Sequence, residues 1–280
     1  MEERSREFLF VEEDFNALRA LVRHHTGINL SEAKRELVYG RLSRRLRMLG
    51  LRSFGEYRAL LADEPEGREF VEFCNAITTN LTSFFREAHH FEYLREQVLV
   101  PLASRPAGQR LRIWSAGCST GEEPYSIAMT VREAVREPNR HDIKILATDL
   151  DSDVLARGRT GAYAEDRIRG LSRARIDRFF REAPQGGAAR FAVTPDLQEL
   201  ITFNQLNLMN ELPMRGPFDV IFCRNVVIYF DKDTQRDLFK RYAQVQRPGD
   251  ILFLGHSESM FKVSDAYTLM GRSIYRRNDS

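Results

Sequence analysis

Apolar residues recur at helical spacing through the first quarter of the chain. Phe15, Leu18, Leu21 and Val22 fall on one face, because intervals of three and four residues superimpose on a 3.6-residue turn. His25-Thr26-Gly27 breaks this run. A second helix is expected from Ser31, a hydroxyl residue suited to an N-cap, to about Met48. It stops before Gly50, since glycine accepts the left-handed conformation that closes helices. Ser53 opens a short helix to Leu61, Pro65-Glu66-Gly67 reads as a linker, and Glu69 to Ile77 reads as another helix. No strand pattern appears up to Arg86, so this region predicts a small all-helical domain.

Beyond about residue 108 the grammar changes. Short apolar runs at 111–115, 143–148, 199–203, 218–223 and 250–255 read as strands. Between them 124–134, 151–159 and 231–245 read as helices, with Pro124 in a first turn where its missing N–H is no loss. Residues 267–270 and 273–276 predict a closing hairpin around Gly271. Strands alternating with helices predict an α/β fold with a mainly parallel, doubly wound sheet. Residues 160–198 interrupt the alternation. A helix at 173–180 and a Gly186-Gly187 turn predict an inserted subdomain there.

Composition narrows the class. A chain of 280 residues suggests about two domains, and 42% hydrophobic with 29% charged residues supports a sizeable core. The formal net charge is +2, which excludes a chain that is basic throughout, as many nucleic-acid binders are. No apolar run approaches the roughly 18 residues of a membrane span. The charged first residues are not followed by a signal-like apolar stretch, so the cytoplasm is the expected location. Cys74, Cys118 and Cys223 contain no C-x-x-C pair, which argues against a disulfide framework or a zinc finger. His24, His25, His89, His90 and His141 show no ligand spacing, and no metal site is expected. His256, just past the fifth strand, reads as a structural residue bordering the pocket.

The near-neutral total hides a local patch. From Lys34 to Arg52 seven bases face the single acid Glu36, a net +6. Val38, Leu42, Leu46 and Leu49 share one face of this helix, and Arg41, Arg44, Arg45 and Arg47 fall around the other. Such a face is either simply solvated or a docking surface for an acidic partner.

The loop Ser115-Ala116-Gly117-Cys118-Ser119-Thr120-Gly121-Glu122-Glu123 joins a strand to a helix, where open α/β sheets bind ligands. It lacks the dinucleotide spacing of glycines and the Gly-Lys-Ser/Thr ending of a phosphate loop. Glu122 and Glu123 would repel a pyrophosphate and suit a cationic ligand such as S-adenosylmethionine. Asp149 ends the second strand, a position for accepting ribose hydroxyls or for capping the next helix. Neither feature alone separates a methyl donor from a dinucleotide.

Taken together, a series of motifs is more specific: Asn80-Leu81-Thr82-Ser83-Phe84-Phe85-Arg86, Ser119-Thr120-Gly121-Glu122-Glu123-Pro124-Tyr125-Ser126, Ala147-Thr148-Asp149, Phe222-Cys223-Arg224-Asn225-Val226 with Ile228-Tyr229-Phe230, and Gly255-His256-Ser257-Glu258. Their order and spacing resemble the CheR-type chemotaxis receptor methyltransferases over residues 12–276. The resemblance implies an S-adenosylmethionine-dependent methyltransferase, Rossmann-like, that esterifies glutamate side chains of chemoreceptors and releases S-adenosylhomocysteine. It implies a helical recognition domain and linker over 1–87, and a methyltransferase domain over 88–280 with a small antiparallel β subdomain inserted at about 160–205.

Residue by residue, the family's cofactor positions carry over to Asn80, Thr82, Arg86, Glu123, Asp149, Asn207, Leu208, Cys223, Arg224 and Asn225. Arg86 and Tyr229 correspond to residues lining the methyl-transfer centre. The basic helix becomes a recognition face for acidic methylation helices, with Arg41, Arg44, Arg45 and Arg47 as its contacts. In part of the family the β subdomain also binds a peptide at the receptor C-terminus. A monomer without nucleic-acid partners or membrane insertion is expected. Two rivals remain in view: a nucleic-acid methyltransferase, and a cofactor-binding scaffold without turnover. Against the first, Cys223-Arg224-Asn225 replaces the Asn/Asp-Pro-Pro-aromatic loop of many base methylators. Against the second, Arg86, Glu123 and Tyr229 are all present.

Overall fold

The computed structural model describes residues 7–65, 67–135, 137, 140–183 and 190–279. The chain divides into two compact units, Met1–Thr79 with Tyr229–Thr234, and Asn80–Ile228 with Gln235–Ser280. The break between Thr79 and Asn80 puts Asn80, Thr82 and Arg86 with the sheet.

The first unit is helical: α1 (Glu12–Thr26), α2 (Arg35–Leu49), α3 (Phe54–Asp63) and α4 (Arg68–Ile77). Phe15, Leu18 and Val22 of α1 meet Val38, Leu42 and Leu46 of α2, with Phe54, Tyr57, Phe70 and Phe73 completing the core. Ser53 caps α3 by accepting the Glu56 amide at 3.1 Å. Ser31 does not cap α2. The chain first makes a 3₁₀ turn, Glu32–Lys34, and the Lys34 amide closes on the Ser31 carbonyl at 2.9 Å, so the hydroxyl is not used as a cap. Glu66 of the expected linker lies outside the described residues.

In the second unit a helical run comes first, α5 (His89–Tyr93), a π-type turn (Leu94–Leu99) and α6 (Val100–Ala103). Sequence pattern did not reveal it, since Pro101 interrupts helical periodicity; the wide turn before it accommodates the missing amide. There follow β1 (Arg110–Ala116), α7 (Glu122–Ala134), β2 (Asp142–Asp149), α8 (Ser152–Thr160), β3 (Ala162–Ala164), α9 (Glu165–Ile168), α10 (Arg173–Phe179), β4 (Phe180–Glu182), β5 (Arg190–Val193), α11 (Pro195–Gln198), β6 (Ile201–Gln205), β7 (Val220–Cys223), α12 (Lys232–Gln244), β8 (Ile251–Leu254), β9 (Tyr267–Gly271) and β10 (Ile274–Arg277).

Among the described residues, seven strands form one sheet in the order β6-β2-β1-β7-β8-β10-β9. It is parallel from β6 to β8, and β10 returns antiparallel beside β8. The strand order reverses direction at β1, and the carboxyl ends of β1, β2 and β7 therefore meet at a topological switch point. The inserted element is a separate antiparallel sheet, β3-β5-β4. The strand at 199–203, read both as the third strand of the alternation and as the end of an insert reaching about 205, is β6: it pairs with β2, Phe203 opposite Ala147, so the main-sheet reading holds and the insert ends before it. Gly186-Gly187 lies outside the described residues.

Candidate active site

The loop after β1 is shaped by two glycines. Gly117, at φ +88°, lies so near the Val226 side chain that a Cβ would collide with it. At Gly121, φ +96°, a Cβ would stand 2.9 Å from the Tyr163 hydroxyl and 3.0 Å from Gly158 Cα. Ser119 between them also has positive φ, 50°. Its amide donates to Asp149 Oδ2 at 2.8 Å, and the Asp151 amide donates to Oδ1 at 3.0 Å. Asp149 is buried, which pushes its pKa up to about 6 despite these amide donors. The helix-capping role falls to Asp151, which accepts from the amides of Asp153 and Val154 at 2.9 and 3.2 Å. Asp149 has no ion pair among the described residues. A carboxylate offers about four acceptor positions, and the amides leave room for hydroxyl donors.

The linker motif is built into this edge. Ser119 Oγ donates to the Asn80 carbonyl at 3.0 Å, and Asn80 Nδ2 donates to Asp151 Oδ2 at 2.7 Å. Thr82 contributes its carbonyl, which accepts from Arg167 at 3.1 Å. The Arg86 guanidinium donates to the Leu81 carbonyl at 3.0 Å.

The acidic character expected of the loop is corrected by the structure. Glu122 is fully buried and ion-paired with Arg167. Glu123 accepts from Ser115 Oγ at 2.7 Å and from Arg224 at 3.1 Å. Burial raises the Glu123 pKa, outweighing Arg224 and Ser115. Both charges that were to attract a cation thus have arginine partners, and Asp149 is left as the acid available to a ligand at this edge.

Beyond β7, Arg224 is almost wholly buried and donates to the Arg86 carbonyl as well. Asn225 takes φ +60°. Its amide donates to Glu258 Oε2 at 2.9 Å, which also accepts from Gly255 at 2.5 Å, while Oε1 accepts from Ile228 at 3.2 Å. Glu258 thus holds the turn that presents Arg224 and Asn225; its motif was read, its tethering role was not. Cys223 is buried, its sulfur receiving the Tyr242 hydroxyl at 3.2 Å, so only its backbone can face a ligand. Asn207 accepts from the Met209 amide at 2.9 Å, forming a turn beside the buried Leu208.

In the helical unit, Tyr229 accepts the Asn29 amide on its carbonyl at 2.7 Å, and the Lys34 ammonium lies 4.7 Å from its ring. The basic face of α2 is narrower than its helical wheel suggests. Arg41 donates to the carbonyls of Ala76, Ile77 and Thr78 at 3.2, 2.8 and 2.7 Å, satisfying the end of α4. Arg45 is locked between Glu69 and Glu72. Arg47 pairs with Glu7 at the surface at 2.9 Å. Arg44 is exposed and has no ion pair among the described residues.

Comparison with known proteins agrees with this geometry. Residues 80–276 match the family described as CheR methyltransferase, SAM binding domain, and residues 13–78 match the CheR methyltransferase all-alpha domain. The chain belongs to the CheR methyltransferase family. It is 46% identical over 252 residues to a probable chemotaxis protein methyltransferase of Rhizobium etli, covering 89% of this chain and 94% of that one. It is 42% identical over 265 residues to the chemotaxis protein methyltransferase of Escherichia coli, covering 93% and 89%. Chemotaxis protein methyltransferase 2 of Pseudomonas aeruginosa is 43% identical over 274 residues, covering 97% and 95%. This CheR methyltransferase is an enzyme that uses S-adenosylmethionine. The buried Asp149, with acceptor capacity beyond its amide partners, fits the ribose of that cofactor. No helix among the described residues is long and apolar enough to cross a membrane.

Proposed function

We propose that the protein esterifies glutamate side chains on the cytoplasmic helices of chemoreceptors, as a monomer in the cytoplasm. The observation that carries this reading is the tie between the linker motif and the cofactor edge, Ser119 to Asn80 and Asn80 to Asp151. It sets the segment bearing Arg86 beside the strand ends, where a methyl donor would bind.

S-Adenosylmethionine supplies an electrophilic methyl group on a sulfonium. A glutamate acceptor, with a reference pKa near 4.3, is already ionised at neutral pH, so no residue here needs to remove a proton. The protein's work is to place the acceptor in line, about 3–3.5 Å from the methyl carbon. Arg86 would hold the carboxylate oxygen that does not react, and Tyr229 would orient the acceptor through its hydroxyl. Asp149 would hold the ribose. Asn80, Thr82, Glu123, Asn207, Leu208, Cys223, Arg224 and Asn225 would shape the rest of the cofactor site. Arg44 and Arg47 would meet the acidic receptor helix, and the β3-β5-β4 sheet would take a receptor tail peptide.

Incubation with tritiated S-adenosylmethionine and receptor cytoplasmic fragments, followed by alkali, tests the chemistry. Methyl esters release methanol in base, and methylated bases do not. Arg86→Ala and Tyr229→Phe should each lower turnover and leave a folded protein; full activity in both defeats these role assignments. Titration with a tail peptide tests the second contact.

A further inference from the structure

Arg86 lies between two residues in the left-handed backbone region, Phe85 at φ 52° and Glu87 at φ 58°. Neither is glycine, and L side chains stay in this region only where their surroundings hold them. Phe85 is held by its amide, which donates to Ser126 Oγ at 2.9 Å, and by its ring against Phe91. Glu87 is held by its carboxylate. Oε1 meets His256 Nδ1 at 2.9 Å. Oε2 lies 3.5 Å from the Arg224 guanidinium and 3.6 Å from His90 Nδ1.

We propose that Glu87, latched by His256, is the positioning residue for Arg86. Its carboxylate fixes the left-handed turn after Arg86 and orients Arg224, which grips the Arg86 carbonyl from the other side. This rests on the reading above that Arg86 acts at the methyl-transfer centre.

The charge pattern supports a latch rather than an incidental surface pair. Arg224 faces two carboxylates, Glu87 and Glu123, with one positive charge. His90 does not supply a second: it is wholly buried, and burial together with Arg224 pushes its pKa down to about 3. His256, with two thirds of its side chain exposed, reaches Glu87 from the solvent side at 2.9 Å. Glu87 Oε2 and Arg224 Nε are buried without a hydrogen-bond partner. The same acid also brings a ligand atom within 4.8 Å of atoms on His89 and His90. The Nε2 atoms of both histidines meet the Arg272 carbonyl, at 3.1 and 3.0 Å, and Arg224 already sets a cation against the carboxylate.

The test is a double-mutant cycle on the full chain, with kcat and melting temperature measured for each variant. Glu87→Ala should lower kcat about tenfold, and His256→Ala about two- to fivefold, with Glu87→Gln recovering part of the first loss because it keeps an acceptor for His256. In an Arg86→Ala background neither change should lower kcat further, because a residue acting through Arg86 has nothing left to position. Equal losses in both backgrounds overturn the inference while leaving the Arg86 reading intact. Full activity in Arg86→Ala overturns that reading, and this inference with it. If Glu87→Ala does not fold, His256→Ala decides, since its site is exposed: unchanged kcat at an unchanged melting temperature overturns the latch.

Discussion

At Asp149 a single carboxylate combines a local signal with a tertiary one. Its place at the end of a strand was legible, and with it the choice between ribose binding and helix capping. The cap goes to Asp151, two residues on, which leaves ribose binding as the proposed role of Asp149. Burial then pushes Asp149 up to about 6, from an ordinary aspartate near 3.9. The sign follows. In the free protein this group favours folding below its ordinary pKa, and that contribution is lost as pH rises through about 6. Binding of ribose hydroxyls needs the ionised form, so it runs the other way. S-Adenosylhomocysteine affinity, measured by calorimetry, should weaken as pH falls from 7.5 to 5. Asp149→Ala should lose about tenfold or more at pH 7.5 and most of this pH dependence. A pH-independent affinity in the wild type removes Asp149 from the cofactor site.

α2 shows what a helical wheel leaves out. Of the four residues expected on the apolar stripe, Val38, Leu42 and Leu46 are buried and Leu49, in the last turn, is exposed; burial of one face imposes a period that survives in sequence. The arginines carry no such period. Arg41 turns to the end of α4 and Arg45 to Glu69, which also accepts the Tyr57 hydroxyl at 2.8 Å. Arg45→Ala should therefore destabilise the protein by about 1–3 kcal/mol in denaturant unfolding, leaving a half-buried acid without its partner. Arg44→Glu should leave stability within about 0.5 kcal/mol and raise the receptor KM several-fold at low salt, with a smaller effect at high salt. A receptor KM unmoved by Arg44→Glu at any ionic strength excludes this face from docking.

On the scale of the whole molecule, the net charge of +2 sums many internal pairs, and Glu122 and Glu123 of the cofactor loop meet arginines of their own unit. Cofactor binding should stabilise that unit by mass action, about 2.7 kcal/mol at a hundredfold excess over Kd. Hydrogen exchange with S-adenosylhomocysteine should show added protection at Asn80, Ser119 and Asp151, with α1 and α3 unchanged; uniform protection along the chain contradicts a site confined to the strand ends.

Periodicity, turn residues and motif order determined most of the element types, the doubly wound sheet, the helical first domain and the family, because each is written within a few neighbouring positions; the helical run over 89–103 was the exception. Tertiary structure alone decided which charges are spent on one another. Glu122 meets Arg167 across 45 residues, and Glu123 meets Arg224 across 101. A pairing at that separation leaves no local pattern, since all 42 cations are equivalent candidates for a given acid until the backbone brings one within reach. The same holds for β6: an apolar strand reads alike in an insert or a main sheet, and only its parallel partner β2 assigns it.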